Sequence, residues 1–237
     1  MLSALCVNLH AKSKLCNIFT MENESSVVYP FGPPLGKFII PREHVDFVNE
    51  YVSYITENQL QDAHDHSARL VGRVKQEISF FRIDGLEAKY DSFIACLDDS
   101  VKSYFEQTFK KHGKVVGAAA RDFIEIEERD IWIVRQFSGD YNPMHNHSRF
   151  DISGVLYTIV PDEISSEKPP RQKGGTDGTI DFMSGAQGFL SNATHNVRPK
   201  ENMLLLFPSY LIHTVYPFNL GEKERRSLAF NVKLRFV

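Results

Sequence analysis

Residues 131–160, IWIVRQFSGDYNPMHNHSRFDISGVLYTIV, decide how this chain is read. Ile131, Ile133 and Arg135 alternate with Trp132, Val134 and Gln136, the period of two that marks a strand. The pattern stops at the breaker run Ser138-Gly139-Asp140, followed by Asn142-Pro143, and a second apolar strand runs over 152–160. Between the two, His145 and His147 stand two apart. On an extended backbone both imidazoles project from one face, which is how a strand offers two nitrogen ligands to a single metal ion. A third imidazole lies far downstream in MLLLFPSYLIHTV, where His213 follows a hydrophobic strand, and Arg225 comes soon after in the alternating run ERRSLAFNVKLRFV.

Upstream of this stretch the period is helical. After the turn-rich link Tyr29 to Gly36 and a short strand beginning at Lys37, Pro41 suits a first helical position. Val45, Val48, Val52 and Ile55 then recur at three- and four-residue steps, predicting an amphipathic helix over about 42–57. A second, longer stripe of Leu86, Tyr90, Phe93, Leu97, Val101, Tyr104, Phe105 and Phe109 predicts one helix over about 85–112, ended by Gly113. These aromatics read as core packed on a sheet rather than a ligand box. The polar stretch between the helices holds a second His-x-His, His64 and His66, which reads as a solvated linker or helix cap.

From Val115 onward the period is two. Strands are expected at 123–127, 131–137, 152–160, 179–183, 203–206, 214–216 and 226–237. Helices first and strands afterwards make an α+β chain, with a sandwich or barrel carrying the helices on one side. A single domain is expected over 1–237, its helical support at about 37–113 and its strand core at about 115–237. The long segment 161–178, charged and rich in Pro and Gly, reads as either a lid or a hairpin tip. Trp132 reads as core and His195 as loop.

Composition narrows the function classes. The 237 residues are 42% hydrophobic and 24% charged, the make-up of a globular protein with a full core. A net charge of −3 leaves no basic footprint for nucleic acid. Cys6, Cys16 and Cys96 are odd in number and unpaired in spacing, which implies neither a disulfide framework nor a zinc site and suggests a reducing, cytoplasmic setting. No run of 18 apolar residues is present to span a membrane. The first twenty residues fit neither a signal peptide nor a transit peptide; Met21 is an alternative start, or the segment is an ordinary strand.

Four blocks in order carry a resemblance: GDYNPMHNH, SGVLYT, LLLFPSYLIHTV and RRSLAFN. Over about residues 132–231 the chain resembles the 2-oxoglutarate/Fe(II)-dependent oxygenases of the phage and marine-bacterial type, within the prolyl-hydroxylase-like superfamily; the first 120 or so residues match loosely. The resemblance implies a double-stranded β-helix, or jelly roll, with buttressing helices from the N-terminal half and the site in its open mouth. It implies Fe(II) and 2-oxoglutarate as cofactors, dioxygen as a reactant, and hydroxylation of an unspecified substrate with decarboxylation of 2-oxoglutarate to succinate.

Relatives in the wider superfamily use His-x-Asp/Glu and a distal His, and the carboxylate position here is His147. Either His145, His147 and His213 form an all-histidine triad, or one of the first two stands aside and Asp151 supplies the carboxylate. An all-histidine set leaves the full charge of a divalent ion on the site, where a carboxylate would offset one unit. Arg225 and Arg226 are consecutive, so only one faces the barrel interior. Arg225 shares parity with the small Ser227 and Ala229 and is expected inside, binding the distal carboxylate of 2-oxoglutarate through its planar fork. Arg226 reads as a surface arginine. Tyr141, Asn142 and Tyr157, in blocks that resemble the family's, are further candidates to hydrogen-bond the co-substrate, with turn formation as the plainer role for Asn142. Two other classes stay open: a cupin-like metal-binding or interaction module without turnover, and a metal dioxygenase that uses no 2-oxoglutarate. Both leave an inward Arg225 without a purpose. Oligomeric state and substrate are not legible.

Overall fold

The computed structural model describes residues 25–28, 30, 32–111, 120–166, 176–190 and 192–237. Residues 1–20, Met21 and residues 167–175 of the 161–178 segment lie outside them, as does Gly113. The strands in chain order are β1 (Ser25–Val28), β2 (Leu35–Ile39), β3 (Gln76–Ser79), β4 (Ile124–Gln136), β5 (Asn142–His145), β6 (Ile152–Ile159), β7 (Ile180–Met183), β8 (Thr194–Val197), β9 (Met203–Pro208), β10 (Ile212–Val215) and β11 (Arg225–Phe236). The helices are α1 (Arg42–Glu57), α2 (Glu87–Lys111) and the single turn α3 (Asp162–Ser165).

Two antiparallel sheets form. The larger has seven strands in the order β1-β2-β9-β6-β11-β4-β3, and the smaller has four in the order β5-β10-β7-β8. From β4 to β11 the chain passes back and forth between the sheets, with only the β7–β8 hairpin staying within the small one, the winding that makes a double-stranded β-helix. Helices α1 and α2 cover the outer face of the large sheet, as the α+β reading expects.

Strand parity decides what each face of the large sheet does. One parity set of β4 and β11, with Ile131, Ile133, Leu228, Phe230 and Val232, points outward to Val48, Val52, Phe93, Leu97 and Val101 of the helices. Tyr51, Phe47, Phe80 and Phe93 meet there at ring distances of 4.5 to 6.1 Å. Full burial of side chains of this size stabilises by about 1.5–3 kcal/mol each, which is why the helical stripes are apolar and continuous. The opposite parity, with Trp132, Val134, Gln136, Arg225, Ser227 and Ala229, faces the inside of the β-helix. A second apolar cluster, including Tyr157, Phe182, Leu205 and Phe207, closes the space between the sheets.

Gly154 shows how tightly the outer face is packed. It sits opposite Phe230 in the β6–β11 ladder, and a Cβ at this position would lie 2.3 Å from the Phe230 ring. Phe230 is itself buried and has nowhere to move. Gly154→Ala should therefore destabilise by about 1–3 kcal/mol, the range for overpacking a core, read as a lower urea midpoint at unchanged slope.

Several expected boundaries are corrected. The strands expected at 123–127 and 131–137 are one continuous strand, β4, because it pairs along nearly its whole length with β11. Asn142 and Pro143 are not a turn but the start of β5, held by pairing to β10. The turn before it is made by Asp140, whose carboxylate accepts the N–H of Phe137 at 2.9 Å and of Lys75 at 3.1 Å. His195 lies in β8 rather than in a loop. Cys96 is half-buried on α2, and burial pushes its thiol up to about 11, so it is poorly reactive.

Candidate functional site

Three imidazoles come together where β5 ends and β10 runs beside it. His145 and His213 are direct partners across the β5–β10 ladder. His147 lies just beyond the last residue of β5 rather than on a regular strand, its N–H donating to Ser209 O at 2.8 Å. The rings still converge: centroids are 4.3 Å apart for His145–His213, 5.0 Å for His145–His147 and 5.3 Å for His147–His213. One nitrogen from each ring lies within 4.8 Å of the other two. That spacing closes onto one ion at bonds of roughly 2.0–2.1 Å with small side-chain rotations.

The hydrogen bonds select the nitrogens on offer. Nδ1 of His145 is 2.7 Å from Pro143 O, and Nδ1 of His213 is 2.9 Å from Leu211 O. A carbonyl oxygen only accepts, so both rings carry their proton on Nδ1 and present the Nε2 lone pair. Burial lowers the pKa of all three, to about 4 for His147 and about 3 for His213. The neutral imidazole that a metal needs is therefore the resting state near pH 7. Asp151 lies elsewhere: it is exposed, and its carboxylate accepts the N–H of Leu234 at 2.8 Å.

Arg225 is buried inside the β-helix, as its parity predicts. Its Nη1 donates to Gly178 O at 2.5 Å, its Nη2 donates to Gln136 Oε1, and the guanidinium lies 5.7 Å from the centre of the Tyr157 ring. Nε has no hydrogen-bond partner among the described residues. No carboxylate among the described residues faces the group, and burial lowers its pKa. Arg226 points the other way. It is buried rather than on the surface, donating to Glu224 at 2.6 and 3.0 Å and to Asn49 of α1 at 3.1 Å. Arg226 is thus a strut between sheet and helix. Arg226→Ala should cost about 1–3 kcal/mol of stability, since Glu224 keeps Arg135 as a partner, and should leave ligand binding at the site unchanged.

The cavity between the imidazoles and Arg225 is lined by Trp132, Gln136, Asn142, Tyr157, Ser227 and Asn231, among others. Tyr157 is fully buried with its hydroxyl unpartnered, and Gln136 Nε2 and Asn142 Oδ1 are also without partners among the described residues. Tyr141 does not line the cavity; its backbone pairs with Arg73 and ties the 70–75 segment to the start of β5.

Sequence reasoning missed part of this wall. Trp132 is buried, but as a wall of the site: it lies 6.2 Å from the His147 ring and stacks at 5.1 Å on His66. His66 is consequently no solvated linker residue. It is buried, with Nδ1 3.0 Å from Ser79 Oγ. Gln136, Ser227 and Asn231 share the inward parity of Arg225 and Trp132, which is the signal that would have found them.

Glu77, opposite Val134 on the same face, is a buried carboxyl that burial raises to about 7 from 4.5, with Asp65 and Asp140 adding to the rise. A folded-state pKa raised above the unfolded one stabilises fully below about 4.5, and that contribution is lost as pH rises through about 7. Glu77→Gln should therefore raise the melting temperature at pH 8 and change it little at pH 5, measured by thermal melts across that range.

Residues 130–231, which carry His145, His147, His213 and Arg225, match the family described as "Putative 2OG-Fe(II) oxygenase". Among solved structures the chain is similar to AviO1 from Streptomyces viridochromogenes Tue57, at 9% identity over 89% of this chain and 90% of that one, with a TM-score of 0.51. That likeness carries the double-stranded β-helix fold. A Pseudomonas putida prolyl-4-hydroxylase is also similar, at 16% identity over 90% of this chain and 93% of that one, with a TM-score of 0.48. No curated protein matches the chain. No helix among the described residues is long and apolar enough to cross a membrane.

Proposed function

We propose that this chain is a 2-oxoglutarate-dependent oxygenase that holds ferrous iron through His145, His147 and His213 and binds 2-oxoglutarate with its far carboxylate on Arg225. The buried, uncompensated Arg225 guanidinium is the observation that carries the reading. An ionised group costs several kcal/mol to desolvate, and no carboxylate among the described residues offsets that cost. The planar far carboxylate of 2-oxoglutarate offers the anion, and Arg225 meets it as a bidentate donor. The donor set also fits the metal: neutral imidazoles are good ligands for ferrous iron, and a facial set of three leaves positions open.

Bound there, iron supplies the activation of dioxygen that is coupled to decarboxylation of 2-oxoglutarate to succinate and hydroxylation of a substrate. The chain's own residues do the positioning. Arg225 fixes one end of the co-substrate, and the unpartnered Tyr157 hydroxyl and Gln136 amide are free to donate to it. Trp132, braced by His66, walls the imidazoles on one side, and Asn142 sits where the cavity opens beside Leu70, Val71 and Gly72. Gly72 lets the backbone approach closely, since a Cβ there would lie 2.6 Å from Asn142 Oδ1. Asp151 takes no part, because its carboxylate is committed to β11.

A cupin-like binding module would share the histidines but has no use for a buried guanidinium. Isothermal titration of the Co(II)-loaded protein with 2-oxoglutarate separates the two. The oxygenase reading expects stoichiometric binding that succinate and other carboxylates weaken by competition. A metal-loaded protein that ignores 2-oxoglutarate would support the binding module.

A further inference from the structure

His147 differs from the other two imidazoles in what holds its second nitrogen. His145 and His213 each lean on a backbone carbonyl, but Nδ1 of His147 faces the side-chain amide of Asn231 at 3.4 Å. Asn231 is buried on β11, and the far side of its amide meets Ser153 Oγ at 2.6 Å. Ser153 Oγ in turn lies 2.9 Å from Ser209 Oγ.

As placed, the amide nitrogen points at His147 and the amide oxygen at Ser153. A donor facing Nδ1 obliges that nitrogen to accept, and the neutral ring then carries its proton on Nε2. A protonated Nε2 has no lone pair for a metal. The ring joins His145 and His213 through Nε2 only when Nδ1 bears the proton and finds an acceptor. Turning the amide by half a rotation supplies one without displacing a heavy atom, since its oxygen and nitrogen occupy equivalent space. Ser153 accommodates the turn. Its hydroxyl accepts from the amide nitrogen and donates to Ser209 Oγ, reversing the direction of that bond.

We propose that Asn231 is a positioning residue for the metal centre: in the metal-bound state its amide oxygen accepts the Nδ1–H of His147 and its nitrogen donates to Ser153, which aims Nε2 of His147 at the ion. This inference rests on the three-histidine reading above. It also gives His147, which stands where relatives carry a carboxylate, a fixed tautomer and a more basic ligating nitrogen.

The test uses the full chain loaded with Zn(II), which is diamagnetic, and long-range proton–nitrogen correlation NMR on labelled histidine. The expected spectrum shows His147 with a slowly exchanging proton on Nδ1 and a metal-shifted Nε2, and the metal-free protein shows the opposite tautomer. A proton on Nε2 in the Zn(II) form overturns the proposal. Metal affinity is read alongside by Co(II) titration. Asn231→Leu should weaken it by about 10–100-fold, and Asn231→Asp, which still accepts from Nδ1–H, should restore it to within a few-fold. Equal affinity in wild type and Asn231→Leu overturns the role of Asn231 while leaving the triad standing. Failure of the wild type to bind one metal ion, or binding unaffected by His145→Ala, instead overturns the triad itself.

Discussion

Arg225→Ala is expected to weaken 2-oxoglutarate binding by roughly 30-fold or more while leaving the metal in place. The size follows from the surroundings. A charge-assisted pair in a buried site loses about 2–5 kcal/mol when one partner is removed, and 2 kcal/mol is already about 30-fold. Among the described residues nothing nearby can substitute: Gln136 is neutral, and Arg226 is turned toward α1 and committed to Glu224. The free protein should lose little stability, and should gain some, because the substitution removes a buried charge that no described carboxylate offsets. This combination, weaker ligand binding in a protein no less stable, distinguishes a binding arginine from a structural one. Isothermal titration with 2-oxoglutarate and a thermal melt, both on the same preparation, measure it. Arg226→Ala should give the reverse pattern.

His213→Ala should abolish stoichiometric metal binding, with affinity falling by more than about 100-fold. That exceeds the 10–100-fold typical of losing a group that only braces a ligand. His213 is buried and lies between His145 on one side and Phe207 at 4.9 Å on the other, so no neighbouring side chain among the described residues can move in to replace it. The same residue sets an acid limit for the metal-free protein. Its folded pKa is depressed by burial to about 3, well below the 6.5 of an unfolded imidazole. The unfolded chain therefore binds the extra proton first, and the stability contributed by the neutral ring is lost as pH falls from about 6.5 toward about 3. The metal-free His213→Ala variant should consequently melt with a shallower pH dependence over that interval, even if its midpoint at pH 8 is lower. Metal content by titration and melting curves between pH 4 and pH 8 check the two halves.

The positions of Arg225 and the histidines were legible because each rests on a strong local signal. Alternation places Arg225 with Ser227 and Ala229 on the inner face, and the structure finds it there. The two helices were legible for the same reason, since apolar stripes of 16 and 25 residues leave little choice of face. What was not legible depends on pairing rather than pattern. Asn142 and Pro143 look like a turn, but β10 recruits them into a strand. Four-residue β3 and β8 carry too little alternation to be seen, yet β3 places Glu77 and Ser79 on the inner face, and Ser79 anchors His66. Trp132 and His66 could not be matched from sequence, because their stacking brings together residues 66 positions apart. Arg226 was misjudged as a surface group because its partner Asn49 belongs to a helix whose docking the strand pattern does not encode.

The proposed site has one direct test: an anaerobic titration of the wild-type protein with Fe(II) and 2-oxoglutarate, followed in the visible region. The account predicts a charge-transfer band that needs both additions, saturates at one iron per chain, and is lost from His213→Ala. At a 2-oxoglutarate concentration just saturating for wild type, Arg225→Ala should show iron bound but only a small fraction of the band. A protein that binds iron at the three histidines yet gives no band at saturating 2-oxoglutarate would contradict the account.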